Sequence, residues 1–204
     1  MRIVFDTETS GLVRGDLPPD HASQPNLVQL GAKLFDAKWV CTGSVVLLIK
    51  PDGWSIEPEA ERHHGISEAR CAKHGVPAVA ALAAFQALAE NARQVIGHNV
   101  DFDRRVMRNA IRRAGGRGIW WEQKAPQFFC TMEASTDVLR LPGVYGSFKF
   151  PSLEEAHRHF YPEDPFQTQH DAESDLMAAA RVFRALEGMG RTPSLSGPPA
   201  GWGK

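Results

Sequence analysis

The spacing of apolar and polar positions changes character along the chain. Ile3-Val4-Phe5 is an apolar run that passes straight into Asp6-Thr7-Glu8-Thr9-Ser10, which predicts a buried strand ending at a polar edge. From Leu27 to Asp36 the pattern alternates, with Val28, Leu30, Ala32 and Leu34 on one side and Gln29 and Lys33 on the other. A period of two predicts a strand with one buried face. Ser44 to Lys50 carries the near-continuous run Val45 to Ile49 and stops at Pro51, a third strand. Three successive strands predict an antiparallel meander, although the Val13–Asn26 connection is long for its place. The period then becomes helical. Pro77 opens an Ala-rich helix through about Asn91, with Val79, Leu82, Phe85 and Leu88 on one stripe. Gln94–Gly97 reads as a short buried strand, and the helix after it keeps Val106, Met107, Ala110, Ile111 and Ala114 inward until Gly115-Gly116. Ser152 stands three residues before Glu155, a capping-box spacing that predicts a helix start. The last amphipathic helix runs from about Asp171 to Leu186. Strands first and β-α alternation afterwards predict an α/β fold, a mixed sheet flanked by helices. The sequence divides into one domain over residues 1–187 and a Gly- and Pro-rich, flexible tail over 188–204.

Composition narrows the class. With 204 residues and 43% hydrophobic positions, the chain can bury a core without metal or disulfide staples. Lys and Arg number 23 against 24 Asp and Glu, so no global positive charge exists to hold phosphates, and any nucleic-acid contact must be local. No apolar run approaches the ~20 residues that span a bilayer. The start M-R-I-V-F-D puts an acid where a signal peptide needs a longer apolar stretch. The expectation is a cytoplasmic protein with no membrane contact. Cys41, Cys71 and Cys130 are odd in number and widely spaced, the pattern of reduced thiols and not of a disulfide frame or zinc site.

The candidate chemistry is carboxylate chemistry. Asp6 and Glu8 are two apart on a strand, so their side chains share one face. Adjacent carboxylates beside a hydrophobic core are costly unless neutralised, and hard oxygen ligands suit Mg²⁺ or Mn²⁺. Alone, D-x-E at a strand end is also the start of a solvated loop. In the second segment, G-H-N-V-D-F-D, an acid falls in the first turn of a helix, where a dipole or capping effect would suffice. In the third, His170 precedes Asp175 by five residues at the start of the last helix. The pair can line one pocket if the helix begins between them. A lone His in that place is more commonly a surface residue.

Taken in order, F-D-T-E-T-S-G, H-N-V-D-F-D and H-D-A-E-S-D resemble the three motifs of the DEDDh (DnaQ-like) 3′–5′ exonucleases, from Ile3 to about Phe183. H-H-G-I at His63–Ile66, Phe129-Cys130-Thr131 and P-S-L-E-E-A are similar to further segments of that family. The resemblance implies a ribonuclease-H-like fold, a central mixed sheet of three meander strands plus parallel strands. It implies two divalent cations, Mg²⁺ or Mn²⁺, on Asp6, Glu8, Asp103 and Asp175, with His170 as general base. Asp101 competes with Asp103; the family pattern places the ligand after the Phe, so Asp101 is expected to point outward.

Further roles follow from the resemblance. Thr7, Thr9, Leu12, His64, His98, Asn99 and Phe102 would hold the terminal nucleotide, Leu12 as a wedge beside its base; core packing is an equal alternative for Phe102. Arg104, Arg108 and Arg112 recur every four residues, either as a solvated face or as a track for phosphates. Trp120 and Trp121 read as core or lid residues. The implied activity is release of nucleoside 5′-monophosphates from the 3′ end of single-stranded DNA, in proofreading or repair. The alternatives are an RNA-trimming enzyme of the ribonuclease T or oligoribonuclease type, or an idle nucleic-acid-binding scaffold. The partners it allows are DNA or RNA 3′ ends, a polymerase or other replication protein, and a second copy of the chain. An unrelated metallophosphoesterase would need more paired histidines than His63-His64 supplies.

Overall fold

The computed structural model describes residues 1–18, 21–116, 126–164, 166 and 172–193. Its sheet has five strands: β1 (Arg2–Thr9), β2 (Leu27–Phe35), β3 (Cys41–Leu48), β4 (Gln94–Gly97) and β5 (Gln127–Cys130), in the spatial order β3-β2-β1-β4-β5. β1, β2 and β3 pair antiparallel as the expected meander, while β4 runs parallel to β1 and β5 parallel to β4. The helices are α1 (Pro58–His64), α2 (Glu68–His74), α3 (Ala78–Ala89), α4 (Val100–Arg113), α5 (Thr131–Leu139), α6 (Leu153–Phe160) and α7 (Ala172–Gly188).

The central strand β1 sorts its side chains by parity. Ile3 and Phe5 join Leu30, Phe85 and Met107 in the core under α3 and α4, with the Phe5 and Phe85 rings 5.5 Å apart. Val4 faces the other way, with Phe35, Ile96, Leu176 and Phe183, under α7. This alternation decides which side of the sheet each polar residue at the strand's end can reach.

Several expectations change. Strand β2 is buried on both faces, because α7 covers the side that carries Gln29 and Lys33. Gly31 permits that approach: a Cβ there would stand 3.0 Å from Leu176 Cδ1. Lys33 bonds Glu173 of α7 at 2.7 Å. The third strand starts at Cys41 and not at Ser44, and it forms the sheet edge, with Val46 37% exposed. In α3 the buried stripe is Ala81, Phe85 and Ala89, spaced four apart, and Val79 points to solvent. In α4 the buried set includes Asn109, while Ala114 lies past the end and is exposed.

The short helices α1 and α2 were not expected. Pro58 in the first turn and Gly65 at φ 68° bound the first, and the Ser67 side chain caps the second. The capping box of Ser152 and Glu155 opens α6 as expected. Trp120, Trp121, His170 and Asp171 lie outside the described residues. Among the described residues no helix is long and apolar enough to cross a membrane.

The long connection between β1 and β2 is organised by two side chains. Gln24 is buried; its amide donates to the carbonyls of Arg14, Leu17 and Pro18 and accepts from the Arg14 N–H. Arg113, from the end of α4, donates to the carbonyls of Gln24 (2.6 Å) and Pro25 (2.8 Å) and to Asn26 Oδ1 (2.7 Å).

Candidate active site

Asp6 and Glu8 share one face of β1, as the period-two reading requires, and Asp175 reaches the same place from the first turn of α7. One carboxylate oxygen from each lies within 4.8 Å of the others. Thr7, of opposite parity, turns toward α4. Its N–H and its hydroxyl both donate to Asp103 Oδ1, at 3.0 and 2.8 Å. Asp103 is 2% exposed and approaches from that second side. Asp101 is exposed and paired with Arg104 at 2.6 Å, pointing outward as expected.

This crowding has an electrostatic signature. Burial, and then the charge of Asp175, push the Asp6 carboxyl up to about 7. Burial and the charges of Asp6 and Asp175 push Glu8 up to about 8. Asp103 is raised well above the carboxylate range by burial and by Asp6, against the pull of its two bonds from Thr7. Oxygen donors that face one another and resist ionisation form a set that a hard divalent cation would neutralise. The donor set therefore fits the metal that the motifs imply.

These acids line a cavity of about 560 Å³, and all seven residues expected to contact substrate lie on its wall. Their polar atoms are already committed in part. Thr9 donates its hydroxyl to the Gly11 carbonyl at 2.7 Å. The Ile66 N–H donates to His64 Nδ1 at 3.0 Å, which leaves the His64 proton on Nε2, aimed at the Thr9 carbonyl 3.2 Å away. His98 donates from Nε2 to the Pro151 carbonyl at 3.0 Å. Its Nδ1 lies 2.9 Å from the Thr131 hydroxyl. Burial lowers the His98 pKa, so the ring is neutral and Nδ1 accepts. His98 thus ties the end of β4 to α5 and to the residue before Ser152, with both ring nitrogens engaged.

Leu12 is 79% exposed at the cavity. Phe102 both lines the cavity and packs against the core under α3 and α4. Asn99 sits at φ 71°, before the first turn of α4. His170 lies outside the described residues.

Sequence reasoning missed Glu57, Glu59, His63 and Phe166, which also line the cavity. Glu59 and His63 are four apart on α1, a spacing that puts both on one helix face. That face could have been found had α1 been recognised. Glu57 packs over Gly11, where a Cβ would stand 2.6 Å from its carboxyl. Two arginines of α4 are held by the fold. Arg104 lies over the Phe128 ring at 4.3 Å while paired with Asp101, and Arg113 is committed to the β1–β2 connection.

Comparison with known proteins gives the family and the fold. Residues 3–183 match the RNase_T family, described as exonuclease. The fold resembles E. coli exonuclease I in complex with a dT13 oligonucleotide, with a TM-score of 0.69 and 22% identity over 91% of this chain and 40% of that one. It also resembles the same enzyme with a dA16 oligonucleotide (TM-score 0.72, 22% identity, 92% and 40% covered) and in a zinc-bound complex with single-stranded DNA (0.72, 21%, 92% and 40%). At this identity the likeness is one of fold, and the chain spans about two fifths of the length of those proteins. No protein of curated function matches it in sequence. A family match over nearly the whole chain, with an acid cluster set on the ribonuclease-H-like sheet, places the chain in the DEDDh group of 3′–5′ exonucleases, hydrolytic nucleases whose chemistry uses divalent metal.

Proposed function

We propose that this exonuclease removes nucleoside 5′-monophosphates one at a time from the 3′ end of single-stranded DNA, in proofreading or repair. The observation that carries this reading is the convergence of Asp6, Glu8 and Asp175 to within 4.8 Å in a cavity that Leu12 and Phe102 also line. Carboxylates alone repel phosphate; with cations they hold it, and the apolar residues suit a base. The oligonucleotides bound by exonuclease I support a single strand as substrate. The catalytic unit is residues 1–187, and its three free thiols support a reducing, cytoplasmic setting.

Asp6, Glu8 and Asp175 would hold two divalent cations, Mg²⁺ or Mn²⁺, with Asp103 assisting from the Thr7 side. Such ions neutralise charge on the phosphate and make a bound water more acidic. His170, on the evidence of its motif, takes the proton as the water oxygen attacks phosphorus. The bond to the 3′ oxygen breaks, and that oxygen leaves with a proton on the shortened strand. A neutral imidazole is required, and an unperturbed one titrates near ~6.5, so the rate falls in mild acid. Leu12 and Phe102 flank the terminal base, and Thr7, Thr9, His64, His98 and Asn99 shape the rest of its pocket.

The test is incubation of 5′-labelled single-stranded DNA and matched RNA with Mg²⁺, Mn²⁺ or EDTA, beside His170→Ala. A ladder shortening from the 3′ end, dependent on metal and lost in the variant, is expected, with DNA the better substrate. RNA shortened faster than DNA overturns the sugar assignment. Strands left intact by folded, metal-loaded protein overturn the enzyme.

A further inference from the structure

Exposed apolar side chains are unevenly spread over the described residues. Of eleven large ones, four lie between α5 and α6: Val144, Tyr145, Phe148 and Phe150. All three exposed aromatic rings among the described residues are in this stretch; Tyr145 is fully exposed, Phe150 60% and Phe148 45%.

The stretch is a hairpin. The Lys149 N–H donates to the Leu141 carbonyl at 3.0 Å, the Gly143 N–H to the Ser147 carbonyl at 2.9 Å, and Pro142 pairs with Phe148. At its tip Tyr145 adopts φ 55°, followed by Gly146 at φ 78°. A tyrosine is disfavoured in the left-handed region, and the turn it makes here leaves its ring in solvent.

The hairpin is fastened to the catalytic cavity. His98 holds the Pro151 carbonyl at its base, and Ser152, Leu153 and Glu154, next in the chain, line the cavity wall. Its edges carry cations: the Arg140 guanidinium lies 5.9 Å from the Phe148 ring centre, and Lys149, 47% exposed, bonds Glu155. Flat exposed rings flanked by cations, continuous with a site for a strand's end, match the alternating bases and phosphates of single-stranded nucleic acid.

We propose that residues 141–150 form a stacking platform for the bases upstream of the 3′-terminal nucleotide, with Tyr145, Phe148 and Phe150 as its rings. This rests on reading the cavity as the site of the 3′ end. It explains how a chain of net charge −1 retains a strand: stacking supplements a weak electrostatic hold.

The experiment compares wild type, Tyr145→Ala, Tyr145→Trp and the triple alanine variant of Tyr145, Phe148 and Phe150. The substrates are the p-nitrophenyl ester of thymidine 5′-monophosphate, which reaches only the cavity, and single strands of increasing length. For wild type, KM falls as the strand lengthens. The triple variant loses that gain, its KM for long strands rising about tenfold or more while kcat and ester hydrolysis are unchanged. Tyr145→Ala, which removes a ring that packs on nothing in the fold, loses part of the gain, and Tyr145→Trp keeps it. Equal length dependence in all four proteins overturns the platform. So does an unchanged KM accompanied by loss of a dimer in sedimentation, which would assign the rings to a second copy. Should wild type cleave neither ester nor strand, the proposed activity fails separately. Anisotropy of a labelled strand in EDTA then decides the platform: weaker binding by the triple variant supports it, and equal binding overturns it.

Discussion

Thr7 gives both its backbone N–H and its hydroxyl to the same oxygen of Asp103, at 3.0 and 2.8 Å. The strand that presents Asp6 and Glu8 to one side therefore orients the remaining acid on the other, through the residue between them. Thr7→Val keeps the shape and the N–H but removes the hydroxyl. The expected result is a metal requirement, read as the Mn²⁺ concentration giving half-maximal activity, raised roughly tenfold or more, the usual cost of losing a group that orients a ligand. Thr7→Ser restores it. A Thr7→Val protein with wild-type metal dependence would show that the N–H alone suffices.

Crowded carboxyls make the metal-free protein sensitive to alkali. Asp6 and Glu8 keep their protons to about 7 and about 8 when folded, against ordinary values of 3.8 and 4.5. Between those limits the folded state holds more protons than the unfolded chain, so its stability declines as pH rises, by up to roughly 1.4 kcal/mol per pH unit for each extra proton. A divalent cation reverses the balance by favouring the ionised forms. Thermal unfolding in EDTA should show Tm falling from about pH 5 to about pH 8, and added Mn²⁺ should raise Tm most at the upper end. Asp6→Asn should flatten both trends. A Tm in EDTA that rises over this range is the outcome that defeats the account.

What was legible in the sequence followed from local periodicity. The strand period put Asp6 and Glu8 on one face, and the Ser152–Glu155 spacing marked the start of α6. Asp103 carried no such signal, since an acid in a helix's first turn is commonplace, and only the family resemblance preferred it over Asp101. Long-range packing was invisible. Lys33 looks like a solvent-facing residue on a half-buried strand, yet its partner Glu173 lies 140 positions away on the helix that covers it. The run Val45 to Ile49 shows a strand but not its position, because its place at the edge depends on β1 taking the middle of the sheet between β2 and β4. Glu57 and Glu59 were passed over because acids around a short helix resemble a solvated face until the fold brings them to the cavity.

His98 joins three segments through two nitrogens, and its partnership with Thr131 can be measured. The Thr131 hydroxyl stands 2.9 Å from Nδ1 and 3.2 Å from the Gly97 carbonyl, and both residues lie at the junction of the sheet with α5. His98→Ala and Thr131→Val should each destabilise the fold by about 1–3 kcal/mol, because each leaves a buried polar partner unmet. The double variant should cost less than their sum, with a coupling of about 0.5–1.5 kcal/mol in urea unfolding. Hydrogen exchange of residues 141–151 should quicken in His98→Ala, since the Pro151 carbonyl loses its donor. Strict additivity would mean that the two residues act independently.

Arg113 closes the β1–β2 connection from outside, taking the carbonyls of Gln24 and Pro25 and the Asn26 side chain into one guanidinium fork. A lysine keeps the charge but cannot reproduce the fork, so Arg113→Lys should behave as Arg113→Ala does. The lost bonds should free the connection locally while the two cores stay intact. Trypsin reads this directly at Arg14, whose backbone N–H and carbonyl are both held by Gln24. Cleavage after Arg14 should accelerate about tenfold for each ~1.4 kcal/mol of lost local stability, with little change in global Tm. Leu12 sits immediately before this connection, at the cavity, so KM for single strands should rise while kcat holds. A variant with faster cleavage and unchanged KM would separate the connection from substrate binding. One with unchanged cleavage would show that Gln24 holds the loop without Arg113.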